Sequence, residues 1–213
     1  MNSDNIIILR PFGPAIAKVK IPEEIIKKLN NYFEDIISDD NKYQQQDHGQ
    51  KLAGNVKKEI KIEQKIAEES GWLNFLGLSS KKYIESSMTG QKITKFTILD
   101  SWIVSQFKNE YNPTHWHGGH ISGAGYLKVP KNLGKPIQSK KPFVPNGCLQ
   151  LIHGSKQFLS NSTLTIKPEV GDFYFFPNYM MHTVFPFSDT DEERRCVSFN
   201  AIIDENVYNV YGG

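Results

Sequence analysis

The stretch Asn112-Pro113-Thr114-His115-Trp116-His117-Gly118-Gly119-His120 places three of the chain's six histidines within six residues. On an extended strand, residues two apart project from the same face, so His115 and His117 can enter one cavity together. Imidazole nitrogen is a ligand for iron, zinc, copper and nickel. His120 falls on the opposite parity if the strand continues. Gly118 and Gly119 interrupt that alternation, which keeps His120 as a reserve ligand. A solvated, histidine-rich turn would read the same way from this stretch alone, so the rest of the chain has to decide.

Downstream, Pro168-Glu169-Val170-Gly171-Asp172-Phe173-Tyr174-Phe175-Phe176-Pro177 is followed by Met180-Met181-His182-Thr183-Val184. The order is a turn, an apolar strand, a proline stop and a histidine opening another strand. A lone histidine beside an apolar run is usually a packed core residue. His182, however, lies 65 residues after His117 with several short strands between, and barrels lay distant strands side by side. His115, His117 and His182 are therefore the candidate metal ligands. The strands themselves are expected at Ile93 to Phe107 (one or two), Ile121 to Val129, Cys148 to Ile152, Leu164 to Lys167, Asp172 to Phe176, His182 to Phe187 and Arg194 to Ile203. Their β-branched and aromatic residues, and the Gly, Pro and Asn turns between them, suit a sandwich or barrel. Lys131 to Gly147 is a long lysine-, proline- and glycine-rich loop, of the kind that often covers or binds.

Upstream, the first 92 residues read mostly as helix. Ile21-Pro22-Glu23-Glu24 has a proline and acids suited to a first turn. Ile25, Ile26, Leu29, Phe33, Ile36 and Ile37 then recur at helical spacing as far as Ser38. Tyr43 to Asn55 is polar, a loop or weak helix. A charged helix is expected over Lys57 to Ser70, ended by Gly71, and a third from about Ser79 to Ser87. After Thr89-Gly90 the β pattern begins. The expected organisation is α+β with a mainly β core: residues 1–213 as one domain, with 1–92 as helical support, 93–203 as core and 204–213 as a tail.

Composition narrows the function classes. Of 213 residues, 38% are hydrophobic and 23% charged, with a formal charge of +2, which supplies no dense basic face for nucleic acid. No apolar run reaches membrane-spanning length and the N-terminus lacks a signal-peptide pattern. Cys148 and Cys196 are too few for a disulfide framework or a zinc knuckle. A cytoplasmic protein without membrane or nucleic-acid partners is expected.

The last informative segment is Glu193-Arg194-Arg195-Cys196-Val197-Ser198-Phe199-Asn200. Alternation puts Arg194, Cys196, Ser198 and Asn200 on one face and Arg195, Val197 and Phe199 on the other. A guanidinium at the inner end of such a strand is suited to a bidentate grip on a carboxylate. Pairing of both arginines with Asp191, Glu192 and Glu193 in solvent is the plainer alternative.

Taken in order, these segments resemble the 2-oxoglutarate- and Fe(II)-dependent oxygenases, prolyl hydroxylases among them, and most of all a small phage and bacterial branch. The matching residues are His115 and His117, Ser122-Gly123-Ala124-Gly125-Tyr126-Leu127, Gly171-Asp172 to Phe176-Pro177, His182, and Arg194 to Asn200. The resemblance implies a double-stranded β-helix (jelly roll) with iron at one mouth. It also implies 2-oxoglutarate as cosubstrate and dioxygen as oxidant, for attack on a substrate C–H bond. Arg194 would meet the distal carboxylate of 2-oxoglutarate, with Tyr126, Ser198 and Asn200 nearby. The substrate would be a small molecule or a protein side chain, prolyl first. Trp102, Trp116, Tyr126 and Tyr179 are candidate pocket residues, although aromatics in a barrel are more often plain core.

Two positions depart from the wider superfamily pattern. His117 stands where a triad carboxylate is commonest, which leaves a bound metal one charge more positive. Cys196 stands where a serine often follows the cosubstrate arginine, and a thiol is the weaker hydrogen-bonding group. Rival readings are a cupin-type metalloprotein, a three-histidine zinc hydrolase and a binding module with a vestigial metal site. Cupins place a glutamate soon after the His-x-His pair, where this chain has glycines, His120 and Ile121. No well-placed general base supports the hydrolase.

Overall fold

The computed structural model describes residues 6–9, 13–88, 90–135, 140 and 143–209. Residues 1–5, 10–12, 89, the 210–213 end of the tail, and 136–139 and 141–142 of the lysine-rich loop lie outside the described residues. The elements run β1 (Ile7–Leu9), β2 (Ile16–Lys20), α1 (Glu23–Ile37), α2 (Asp40–Gln46), β3 (Lys58–Lys61), α3 (Gln64–Glu69) and α4 (Trp72–Ser87). They continue with β4 (Phe96–Gln106), β5 (Asn112–His115), β6 (Ile121–Lys128), β7 (Leu149–Ile152), β8 (Thr163–Ile166), β9 (Asp172–Pro177), β10 (Met181–Val184), β11 (Arg194–Ile203) and α5 (Glu205–Tyr208).

Two antiparallel sheets face each other, a seven-stranded one in the order β1-β2-β9-β6-β11-β4-β3 and a four-stranded one in the order β5-β10-β7-β8. This is the jelly roll with supporting helices. Each face of the larger sheet packs differently. On the outer face lie Leu127, Phe173, Phe175, Val197 and Phe199, joined in one core with Leu29 and Phe33 of α1 and Trp72, Phe75 and Leu76 of α4. Between the sheets lie Trp102, Val104, Tyr126, Tyr174, Phe176 and Cys196 with Leu149 and Leu151. Strict alternation along β6, β9 and β11 produces this sorting, since each strand is buried on both faces.

The helix expected after Pro22 forms over Glu23–Ile37, with Glu23 and Glu24 in its first turn and Ile25, Leu29, Phe33 and Ile36 buried. The strands from residue 93 onward fall close to their expected positions, and Arg194–Ile203 matches at both ends. The differences lie upstream. Residues 57–70 are not one helix: Lys58–Lys61 is a strand pairing with β4, and only Gln64–Glu69 is helical. Glu59 and Lys61 alternate with Ile60 and Ile62, and the free edge of β4 selects that two-residue period over the helical one. The helix after it begins at Trp72 rather than near Ser79, because Gly71 takes a left-handed φ of 82° and turns the chain directly into α4. β1 and β2 extend the larger sheet from a region read as helix, with β2 pairing to β9.

Candidate metal and cosubstrate site

β5 and β10 are neighbours in the smaller sheet, and His115 lies opposite His182 in their register. His117 lies just past β5, in a turn stapled to the turn after β9. The His117 amide donates to the Asn178 carbonyl (3.1 Å), and the Asn178 side chain donates back to the His117 carbonyl (3.3 Å). The three imidazoles meet at one mouth of the barrel. Their nearest nitrogens all lie within 4.8 Å of one another, and His117 Nε2 is 3.1 Å from His182 Nε2. His115 Nδ1 donates to the Pro113 carbonyl (2.7 Å) and His182 Nδ1 to the Met180 carbonyl (2.9 Å). Both rings are thereby locked with Nε2 toward the cluster.

Burial lowers the pKa of all three imidazoles. It takes His117 to about 3, helped by the neighbouring His182 and His115, and His182 to about 4, helped by His115. The rings are therefore neutral around pH 7 and present lone pairs, as metal binding requires. His120 does not join them. Its ring stacks on Tyr208 at 3.9 Å and its Nδ1 accepts from the Ile203 amide, on the other side of the turn.

From the histidines a narrow cavity runs between the sheets to Arg194, walled by Trp102, Val104, Tyr126, Leu149, Cys196 and Ser198. The wall follows from register. Ser198 pairs with Trp102 and Ala124, and Cys196 with Val104 and Tyr126, so alternate residues of three strands form successive rungs. Arg194 ends this ladder. It is 2% exposed, its guanidinium lies 5.0 Å from the Tyr126 ring centroid, and its Nη1 donates to Gln106 Oε1 (2.9 Å). Among the described residues its buried Nε has no hydrogen-bond partner, and the buried Tyr126 hydroxyl has none beyond the neighbouring Arg194 guanidinium. Burial also raises the Tyr126 pKa and keeps that hydroxyl protonated. Two orphaned donors at the end of a cavity whose other end is a neutral three-nitrogen cluster form an acceptor's socket, suited to a carboxylate.

Arg195 turns the other way. Its Nη2 reaches Glu34 (2.6 Å) and Glu193 (2.6 Å), its Nη1 reaches Asn30 (2.9 Å), and its guanidinium covers Phe33. Of the candidate aromatics, Trp102 and Tyr126 line the cavity. Trp116 is 66% exposed, and Tyr179 borders a separate hollow beside α4 and α5. Asn200 lies beside His117 and bonds to Ser122 rather than reaching the Arg194 end of the cavity. Sequence reasoning missed Gln106, and it placed Ser122 in a motif without giving it a role. Gln106 has the parity of Trp102 and Val104, but its place opposite Arg194 depends on a pairing that no local signal reveals.

Residues 100–200 match the family model described as "Putative 2OG-Fe(II) oxygenase". That stretch is similar to the 2OG-Fe(II) oxygenases. The cofactors that this family implies are Fe(II), 2-oxoglutarate and dioxygen. No curated protein matches it in sequence. Solved structures similar to this chain include a prolyl-4-hydroxylase from Pseudomonas putida, 11% identical over 87% of this chain and 91% of that one, with a TM-score of 0.55. Another is the viral collagen prolyl hydroxylase of Paramecium Bursaria Chlorella virus-1, 15% identical over 87% and 94%, with a TM-score of 0.52. A third is a prolyl hydroxylase from Trichoplax adhaerens, 14% identical over 100% and 89%, with a TM-score of 0.53. At these identities the likeness speaks for the fold, which agrees with the two sheets described above. No helix among the described residues is long and apolar enough to cross a membrane.

Proposed function

We propose that this oxygenase hydroxylates a C–H bond of a protein side chain, prolyl first. In this reading Fe(II) sits on His115, His117 and His182, and the far carboxylate of 2-oxoglutarate on Arg194. One observation carries the reading: three neutral imidazoles and an arginine with an unpartnered Nε occupy opposite ends of one buried cavity. Bound there, iron would supply open coordination positions for 2-oxoglutarate and dioxygen and the oxidising power that C–H hydroxylation needs. The remaining work falls to side chains. Gln106 holds one Nη of Arg194 and leaves the rest of the guanidinium for the carboxylate. The protonated Tyr126 hydroxyl adds a second donor, and Ser198 lines the same wall. Trp102, Val104 and Leu149 keep the passage apolar, so each charge-assisted contact acts with little competition from water.

A polypeptide substrate is favoured because structures of the same fold include prolyl hydroxylases, one of them in complex with a hypoxia inducible factor oxygen degradation domain peptide fragment. Both cysteines are free and buried, which suits a reducing cytoplasm. Anaerobic crystals grown with Mn(II) and 2-oxoglutarate test the site directly. Metal on the three histidines with the distal carboxylate on Arg194 is expected, and either group seated elsewhere would overturn the assignment. Proline-containing peptides should accelerate conversion of 2-oxoglutarate to succinate and gain one oxygen atom, read by mass spectrometry. Equal conversion with and without every such peptide would count against the substrate class while leaving the site intact.

A further inference from the structure

The three histidines are not oriented in the same way. His115 and His182 each donate Nδ1–H to a carbonyl two residues upstream, and a carbonyl can only accept. Their Nε2 atoms therefore carry lone pairs. His117 has no such carbonyl among its hydrogen bonds: its Nδ1 faces the side-chain amide of Asn200, 83 residues away, with Nδ2 at 3.5 Å. Asn200 Oδ1 in turn accepts from the hydroxyl of Ser122 (2.8 Å), its cross-strand partner on β6, and Ser122 is fully buried.

These bonds fix every proton in the chain of contacts. Because His182 Nε2 is a lone pair, its 3.1 Å bond to His117 Nε2 needs the proton on His117 Nε2. His117 Nδ1 is then the acceptor that Asn200 Nδ2–H requires. A metal held by all three Nε2 atoms demands the opposite tautomer, with the His117 proton on Nδ1 pointing at an amide N–H. A half-turn of the Asn200 amide removes the conflict. It brings Oδ1 to His117 Nδ1–H and Nδ2 to Ser122 Oγ, which accepts as well as it donates. The ring loses one proton at Nε2 and gains one at Nδ1, so its charge is unchanged.

We propose that Asn200, seated on Ser122, is a positioning residue that selects the metal-binding tautomer of His117 by reversing its amide when the metal enters. The inference rests on the reading of His117 as a ligand. Zinc(II) is a diamagnetic probe for both, and the protein labelled with 15N in histidine and asparagine reports on each separately. Adding zinc should move the His117 proton from Nε2 to Nδ1 and shift the Asn200 side-chain amide signals. A zinc-bound His117 with unmoved Asn200 signals would overturn the proposal and leave the ligand assignment standing. A His117 ring that does not respond to zinc would sink both.

Variants supply the second readout. Asn200→Leu removes the acceptor at nearly constant volume and should weaken zinc binding about 10- to 100-fold, the range seen when a partner of a metal-bound histidine is lost. Asn200→Asp keeps an acceptor for Nδ1–H and should bind zinc at least as tightly as the unaltered protein. Ser122→Ala should cost a few-fold by freeing the amide. Wild-type zinc affinity in Asn200→Leu, or equal losses in Asn200→Leu and Asn200→Asp, would overturn the proposal.

Discussion

At the scale of single residues, Arg194 and Arg195 show how one step along a strand separates two environments. Arg195 is a structural cation. It neutralises Glu193, which burial alone would push up but which hydrogen bonds from Arg195, Ser105 and Lys128 hold below the ordinary carboxylate range. Arg195→Ala leaves that buried carboxylate with only Lys128 and Ser105 and should cost up to about 3–5 kcal/mol in urea unfolding. Arg194→Ala should spare stability and iron binding but weaken 2-oxoglutarate roughly 10- to 100-fold, since a charge-assisted contact contributes about 1.5–3 kcal/mol. Anaerobic titration of the iron-to-cosubstrate charge-transfer band separates the two, and a larger loss at Arg195 would reverse the roles. Glu59 makes a pH prediction. Burial, with Asp47 nearby, raises its pKa to about 7, and its Oε1 has no hydrogen-bond partner among the described residues. The folded state thus favours the protonated acid, a contribution complete below the unfolded value near 4.5 and lost as pH rises through about 7. Glu59→Gln should be close to neutral at pH 4.5 and stabilise by up to about 3 kcal/mol at pH 8. Urea midpoints at the two pH values decide it, and an equal change at both would remove ionisation as the cause.

At the scale of elements, β6 is the strand on which both cores depend. Ser122, Ala124 and Tyr126 face the cavity, while Gly123 and Gly125 face the helices and let the Phe173 ring lie against bare backbone. That close approach lets Trp72 and Phe75 of α4 pack on Phe173, with ring centroids 5.4 Å and 5.9 Å from it. A Cβ on Gly125 would collide with Phe173 and lie 2.7 Å from the Asp172 carbonyl oxygen, which cannot move without breaking the β6–β9 pairing. Gly125→Ala should therefore cost about 1–3 kcal/mol or more, read as a lowered Tm with the metal affinity of the folded fraction unchanged. The β half of the chain was legible in sequence because alternating apolar residues and Gly, Pro and Asn punctuation are local signals. The upstream strands were not. Lys58–Lys61 holds four residues, alternates only weakly and sits among good helix formers, so its state depends on β4, whose edge lies far along the chain.

At the scale of the whole molecule, the helices and the sheet share one apolar core, which contains Ile25, Leu29 and Phe33 from α1 alongside Phe173, Val197 and Phe199. We infer that residues 1–213 fold as one unit. A 1–92 fragment should show no cooperative thermal transition, and Leu29→Ala in the full chain should cost about 2–5 kcal/mol while leaving a single transition. Cooperative melting of the fragment would divide the chain into two domains. Much of this organisation was written in local order. The His-x-His spacing, the apolar run before His182 and the parity of Arg194 each depend on periods of two residues, which any extended segment must obey, and together they announced a β core with a histidine-lined mouth. Only the tertiary structure decided which histidine was left out, since His120 is claimed by Ile203 and Tyr208. It also decided that Gln106 and Ser122 would support the site. Those residues act through strands paired 88 and 78 positions apart in the chain, and pairing at that distance is set by how two whole sheets close on each other, a property that no short stretch of sequence contains.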